Sequence, residues 1–524
     1  MALGSGALMA LSTAPLNAFP LAWVALVPLW MMVGSEPATL NPQPSKRVFL
    51  LALAWGIGYH GLALAWIRDL HPLTWLGIPW IGSVAIVLFA WSFITLWGAA
   101  LVAIWAIGLS WVIRKRNDRS SWLTSSWHHV LVGTALWCGL EWLWSLGSLY
   151  WTSLSYTQSP GNLAILHLGQ LSGPTTVTAA IVAVNGLIAE GWIRYQESEV
   201  RGQSNKAFYK LLSSAVVVVA VLHLVGYGLY SRPMAQFPEA ALRVGLIQGN
   251  VPTRIKHTAE GRQQAVDGYV TGYERLADEG ADAVLTPEGA FPFRWDDRDK
   301  AENSFYQAVQ RKGRVGWLGT FVVQGDRLTQ SLLTLTGDGQ TLSRYNKLKI
   351  VPLGEYIPLR SILGVVINRL SPVQTDLLPG ATDQTFETPF GRAIASICYD
   401  SAFPEVFRRQ AATGGQFILT ASNLDPYSEV LMAQHQAQDV MRAIETDRWA
   451  ARATNTGYSG ILDPHGRVQW RSQPRIYQLH TDTIYRRQTQ TLYVRWGDWL
   501  TPLLGLAALG VVLQRQFLQS TTTP

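Results

Sequence analysis

The sequence predicts a multi-span α-helical membrane bundle joined to a layered α/β domain. Three observations predict it: long apolar runs up to about residue 232 with another near 496–514, a middle part of short apolar or alternating runs, and a biased composition. Of 524 residues, 48% are hydrophobic and only 15% charged, and 23 are tryptophan. A soluble enzyme of this length carries more charge, and indole rings favour the zone between hydrocarbon and water.

A bilayer core about 30 Å thick needs roughly 20 apolar helical residues, because only intrahelical bonding satisfies the backbone in lipid. Residues 17–34, 48–67, 80–113, 129–148, 165–192, 211–230 and 496–514 are the candidate spans. Residues 2–14 are a weaker first candidate, short for a crossing and without the basic leader of a signal peptide. The run from Leu70 to Ile113 is too long for one ordinary helix, and fits an interfacial piece plus a span or two short spans.

Basic residues in the connections set the orientation, since Lys and Arg favour the cytoplasmic side. With 80–113 as one span, alternate loops carry Lys46 and Arg47, then Arg114, Lys115, Arg116 and Arg119, then Arg194, Arg201, Lys206 and Lys210. The opposite loops carry only Arg68. The helix at 211–230 then runs outward, and the final helix returns Arg515 to the inside. The expected division is a transmembrane bundle over 1–232, an extracytoplasmic catalytic domain over 233–490, and a last membrane helix with a short tail over 491–524. Net charge is +7, but the basic residues form no block of the kind that binds nucleic acid.

The middle part alternates strands with helices. RVGLIQGN, DAVLTPEG, GWLGTFVVQ, SLLTLTGDGQTLSRYN, RAIASICYD and QFILTASN read as strands, with GDG and PHG marking hairpin turns. Val266, Tyr269, Val270, Tyr273, Leu276 and Ala277 recur at helical spacing, and Gly280 follows as a stop. Such alternation predicts a layered α/β sandwich.

Three strand ends supply reactive groups: TPEGAFP with Glu288, YNKLKIVPLGEYIP with Lys347 and Glu355, and ICYD with Cys398. The chain has one other cysteine, Cys138, inside an apolar run, so a bridge to Cys398 would have to join membrane to domain. A thiol attacks only as thiolate, and a free cysteine near pKa 8.5 is mostly protonated at neutral pH. It needs a base and a positive neighbour, which a carboxylate and an ammonium on adjacent strand ends provide. A helix starting near Pro404 would add its N-terminal dipole. Taken singly, each residue also fits a plainer role: Cys398 as apolar filler, Glu288 as a solvated carboxylate, Lys347 as surface charge beside Lys349, Glu355 as a turn bond. His435 and His465 lie far from any metal-ligand spacing.

Together, PEGAFP, YNKLKIVPLGEYIP and ICYD, in that order, resemble the carbon–nitrogen hydrolase (nitrilase) superfamily. With the membrane segments at both ends, the whole chain is similar to the apolipoprotein N-acyltransferase family within it; VPLGEYIPL is the most specific word, and WTSLSYTQSP resembles that family's outward-facing loop. The resemblance implies a nitrilase-like αββα sandwich. It implies Cys398 as nucleophile, Glu288 as general base and Lys347 as the cation near the oxyanion, with Glu355, Tyr399 and Asp400 in support and no metal or other cofactor. The implied reaction moves an acyl chain from a phospholipid through a Cys398 thioester to the N-terminal amine of a diacylated apolipoprotein. The implied setting is the bacterial plasma (inner) membrane, with the catalytic domain on the periplasmic side and the protein a monomer. Asp400 stands where the family commonly has Glu, the Lys256–His257 region where a tryptophan is common, and ASNLDPYSE where many members carry Ser-Asn-Asp-Ala-Trp. A membrane-tethered amidase acting on a small soluble amide and a non-catalytic transporter or binding protein are the alternatives. The amidase would keep the Glu–Lys–Cys set; the other would tolerate Cys398→Ala.

Overall fold

The apolar runs become helices of uneven length. The computed structural model describes residues 1–34, 46–114, 122–357 and 376–520. Lys115, Arg116 and Arg119 of the orientation argument, Pro358 and Leu359 of VPLGEYIPL, and the last four residues lie outside them. Among the described residues, three helices are long and apolar enough to cross a membrane: Trp80–Ile113, Pro174–Arg201 and Lys206–Tyr230. Helices Lys46–Ala63 and Trp122–Ser145 occupy two further candidate spans. The ambiguous run resolves into a short 3₁₀ turn, Thr74–Leu76, and one continuous helix from Trp80.

Two expected spans are broken. Residues 17–34 form a 3₁₀ turn, Phe19–Trp23, and a short helix, Val27–Gly34, each with a proline near its start, Pro20 and Pro28. Residues 165–192 fall within three helices, Leu163–Leu166, Gly169–Ser172 and Pro174–Arg201. Gly173 at φ +72° turns the chain out of the α region, and Pro174 lacks the N–H that would continue the helix before it. The C-terminal apolar run begins with a helical turn, Leu492–Trp496, and its long helix starts only at Leu500.

Two compact units emerge. The first comprises Met1–Arg68, Leu88–Arg232 and the chain from Trp496; the second comprises Asp69–Val87 and Pro233–Arg495. The stretch Asp69–Val87, which hydropathy places with the bundle, groups with the second unit.

Not all tryptophans in the first unit seek an interface. Trp30, Trp55, Trp105 and Trp137 are fully buried and meet edge to face, with centroids 5.4 Å apart for Trp30–Trp105, 5.1 Å for Trp105–Trp137 and 5.9 Å for Trp55–Trp137. Buried indoles need an acceptor for N–H, and these have one: Trp55 donates to the Ala25 carbonyl, Trp105 to that of Gly133, Trp137 to Glu141 Oε1. Glu141 also accepts from the Leu154 N–H at 2.8 Å, Ser153 Oγ at 2.8 Å and Thr178 Oγ1 at 3.0 Å. Four donors on one buried carboxylate hold the WTSLSYTQSP loop onto two helices. Glu141→Leu strands those donors, and a loss of about 3–5 kcal/mol is expected, read as a lower melting temperature in detergent.

In the second unit the expected strands form. With others they make up β1 (Ala241–Gln248), β2 (Ala283–Leu285), β3 (Phe291–Trp295), β4 (Val315–Gln324), β5 (Arg327–Leu335), β6 (Thr341–Asn346), β7 (Ile394–Ile397), β8 (Ile418–Ser422), β9 (Ala450–Thr454), β10 (Gly460–Leu462), β11 (Val468–Arg471) and β12 (Gln478–Tyr485), of which β3 and β9 to β12 lie outside the expected stretches. One sheet runs β12-β1-β2-β4-β5-β6, with β3 paired to β4, and the other runs β11-β10-β9-β8-β7. The inner pairs β1–β2, β2–β4, β7–β8 and β8–β9 are parallel. The hairpins β5–β6 and β10–β11 are antiparallel and turn at Gly339 (φ +83°) and Gly466 (φ +76°).

The sheets face each other at β1 and β9, and helices cover their outer sides, giving the αββα order of a nitrilase-like fold. Helix Ala259–Asp278 lies on the first sheet, its start capped by Thr258, whose hydroxyl accepts from the Gly261 N–H. Tyr269, Tyr273 and Leu276, three of the helically spaced residues, are fully buried beneath it. Helices Pro404–Ala412 and Glu429–Thr446 flank the second sheet.

Candidate active site

Glu288, Lys347 and Cys398 each stand just beyond the C-terminal end of a strand: β2, β6 and β7. Strand ends are where an α/β sandwich exposes loop residues on a rigid support, here two from parallel strands and Lys347 from the antiparallel edge strand β6. Lys347 Nζ donates to Glu288 Oε1 at 2.8 Å and to Glu355 Oε1 at 2.6 Å. Lys347 is only 1% exposed, Glu288 7% and Cys398 8%. Burial alone pulls the Lys347 ammonium down, but Glu288, Glu355 and Cys398 reverse the sign and hold it well above the usual lysine range. Burial first, then the Lys347 and Glu288 charges in opposite senses, leaves the Glu355 carboxyl raised.

Each acidic group is held by the backbone. Glu288 Oε2 accepts from the Asn423 N–H at 2.9 Å, and Glu355 Oε2 from the Val351 N–H at 2.8 Å. Thr286, two residues before Glu288, donates Oγ1–H to the Trp317 carbonyl and accepts from the Gly319 N–H. Gly319 has no substitute there, since a Cβ would lie 2.0 Å from the Pro287 oxygen.

Cys398 has φ +49°, a left-handed conformation that few non-glycine residues adopt, where β7 passes into the 3₁₀ turn Cys398–Ala402. Asp400 braces this turn. Its Oδ2 accepts from the Ile397 N–H and the Tyr345 hydroxyl, both at 3.0 Å, and its Oδ1 from the Lys349 N–H at 2.7 Å. The shorter arm of aspartate therefore ties the Cys398 turn to the Tyr345–Lys349 segment. Burial raises the Asp400 carboxyl, and these bonds oppose it. Tyr399 points its ring edge to face at Phe403. Lys349 Nζ sits 4.1 Å over the same Phe403 ring, apart from the two glutamates that Lys347 bridges.

Burial, then the nearby Glu288 charge, pushes the Cys398 thiol up, while Lys347 and a hydrogen bond from the Asn423 backbone pull against it. A free-standing thiolate is disfavoured in such a pocket.

Several residues around the site carry no role in the sequence, where ASNLDPYSE and the Lys256–His257 region are marked only as departures from the family pattern. Asn423 and Tyr427 both lie in ASNLDPYSE, and the Tyr427 hydroxyl is raised by burial and then by Cys398. Buried Lys256 donates to the Glu288 carbonyl at 3.3 Å and is lowered to about 8 by burial, against the pull of Glu288 and Asp425. His435 reaches the Cys398 carbonyl. The signal for Lys256 was its place directly before His257, where the familiar tryptophan is missing.

Comparison with known proteins matches both regions of the chain. Residues 5–187 match the family described as "Apolipoprotein N-acyltransferase N-terminal domain", and residues 243–491 match "Carbon-nitrogen hydrolase". An apolipoprotein N-acyltransferase of Nostoc sp. strain PCC 7120 is 52% identical over 96% of this chain and 96% of its own length. That of Synechocystis sp. strain PCC 6803 is 45% identical over 95% of this chain and 96% of its own length. Among solved structures, an amidase from Nesterenkonia sp. AN1 is similar at 17% identity and a TM-score of 0.39, covering 51% of this chain and 100% of that one. Matched in both regions and along nearly its whole length, the chain belongs to the apolipoprotein N-acyltransferase family, and it is an acyltransferase that carries a carbon–nitrogen hydrolase domain.

Proposed function

We propose that Cys398 carries an acyl chain from a membrane phospholipid to the N-terminal amine of a diacylglyceryl-cysteine on an apolipoprotein. The observation that supports it best is the buried Lys347 ammonium, bonded to both Glu288 and Glu355 in the electrostatic surroundings of the domain's one thiol. Glu288 takes the thiol proton as the sulfur attacks the ester carbonyl, and negative charge grows on the carbonyl oxygen. Lys347 and the Tyr399 backbone N–H stabilise that charge. The C–O bond breaks, the proton passes from Glu288 to the departing oxygen, and a lysophospholipid leaves. The acceptor amine then attacks the thioester, Glu288 takes its proton, and the thiol is restored as the amide forms, which gives ping-pong kinetics.

A membrane-tied catalyst suits both substrates. Drawing an acyl chain into water costs about 0.8 kcal/mol per methylene, so a site served from lipid avoids that cost. We read residues 1–232 as the bundle, 233–490 as a catalytic domain on the periplasmic side of the bacterial plasma membrane, and 491–524 as the returning anchor. The protein acts as a monomer without a cofactor.

Incubation of the purified protein with phospholipid and no acceptor is expected to add one acyl mass to Cys398, removable by hydroxylamine and seen by mass spectrometry of the Cys398 peptide. A thiol that stays unmodified while lysophospholipid accumulates overturns the thioester route.

A further inference from the structure

The carbonyl of Cys398 is held by a side chain that the reaction above does not use. His435 Nε2 lies 2.9 Å from that oxygen, and its Nδ1 lies 2.7 Å from Arg452 Nη1. A guanidinium offers only N–H donors and a carbonyl only accepts. These two partners admit one form of the ring: neutral, with the proton on Nε2 and the lone pair on Nδ1. Burial, reinforced by the Arg452 charge, holds His435 down to about 3, consistent with that form. Arg452 is itself fixed, pairing with Asp439 and donating Nε–H to the Tyr458 carbonyl at 2.8 Å. His435 and Asp439 lie on helix Glu429–Thr446 and Arg452 on β9, and all three are buried.

A trans peptide unit is planar, with its N–H pointing opposite to its C=O. Fixing the Cys398 oxygen therefore fixes the direction of the Tyr399 N–H across the same bond. We propose that His435 is a positioning residue for acyl transfer: its hydrogen bond to the Cys398 carbonyl aims the Tyr399 N–H at the oxyanion and keeps Cys398 in its left-handed turn. The inference rests on the thioester reading of the site. A purely structural histidine would satisfy a buried carbonyl and leave the chemistry to others. Its loss would lower stability without separating one reaction of the thiol from another.

Two reactions of the same sulfur make that separation in the full-length protein in phospholipid–detergent micelles. Acylation by p-nitrophenyl butyrate builds an oxyanion, whereas alkylation by iodoacetamide does not. His435→Phe keeps the bulk of a ring and removes both hydrogen bonds; His435→Gln keeps a donor for the carbonyl and an acceptor for Arg452. His435→Phe is expected to slow acylation about 10–100-fold through kcat, with KM within about twofold and alkylation within about threefold of wild type. His435→Gln is expected to recover most of the acylation rate. Equal slowing of both reactions, or wild-type acylation in folded His435→Phe, overturns the proposal. Should His435→Phe fail to fold, His435→Asn replaces it, its shorter amide reaching Arg452 but not the carbonyl. Slow acylation with ordinary alkylation is then expected, and wild-type acylation overturns the role. If wild type accepts the butyryl group but takes none from phospholipid, the lipid donor is wrong while the His435 comparison still stands. A wild-type thiol that neither donor acylates overturns both readings.

Discussion

Cells whose only copy of this chain carries Cys398→Ala are expected to accumulate diacylated apolipoprotein with a free N-terminal amine. The argument is chemical and local. The thiol is the group proposed to bear the acyl chain between donor and acceptor, and alanine leaves nothing at the β7 end that could bear it. Loss of a nucleophile in a covalent mechanism costs on the order of 10³-fold or more in rate, equivalent to about 4 kcal/mol of barrier. Stability should hardly change, because the sulfur is a small buried group with no ion pair of its own to break. Mass spectrometry of the lipoprotein N-terminus checks the first expectation and thermal melting of the purified variant the second. A triacylated lipoprotein in the Cys398→Ala strain would remove the thiol from the mechanism altogether.

Lys347→Met is expected to lose both activity and stability, and the two losses have different causes. In the native protein the carboxylates of Glu288 and Glu355 share one ammonium, at 2.8 and 2.6 Å. Methionine matches the length of lysine but leaves two buried acids facing each other. Breaking a buried pair by removing one partner costs about 3–5 kcal/mol, because the stranded charge keeps its desolvation penalty. The sign of the pH dependence follows. Glu355 is already raised by burial, and losing Lys347 raises it further, above its unfolded value of about 4.3. A carboxyl raised on folding is unpenalised below its unfolded pKa, and stability is lost as the pH climbs through its folded pKa. Lys347→Met should therefore melt closer to wild type at pH 5 than at pH 8. Adding Glu355→Gln should return part of the lost stability at pH 8 while leaving acyl transfer about 10³-fold down, since the cation proposed to stabilise the oxyanion is still missing. Equal melting losses at both pH values would show that the two acids do not share Lys347 as the geometry implies.

Much of the site could be read from the sequence because its residues sit in short contiguous words. Glu288 follows a three-residue strand, Lys347 ends Tyr-Asn-Lys, and Cys398 ends an apolar run, so each word carries both a strand end and a reactive group. The bracing residues could not be read in the same way. Asn423 and His435 reach the site through a backbone N–H and a ring nitrogen, and Arg452 enters from a different strand. In sequence they are an ordinary asparagine, histidine and arginine. Asp400 looked like a conservative shortening, but its three bonds show why one fewer methylene suffices: its partners, Ile397, Tyr345 and Lys349, are brought to it by the turn.

The bundle shows the same division. Hydropathy located the apolar segments well, because exposure of apolar surface to lipid is a property of composition. It joined 165–192 into one span and took the tryptophans as interfacial, because a window average ignores the φ of Gly173 and the acceptors that wait for each indole N–H. By itself, then, the sequence determined the kind of molecule, the strand-ending words and the candidate reactive residues they carry, all of which depend on local pattern. Only the tertiary structure decided which charges meet, which way the Cys398 peptide faces and which buried groups hold it there. Contacts between residues distant in the chain depend on chain reversal and packing, and no local pattern encodes those.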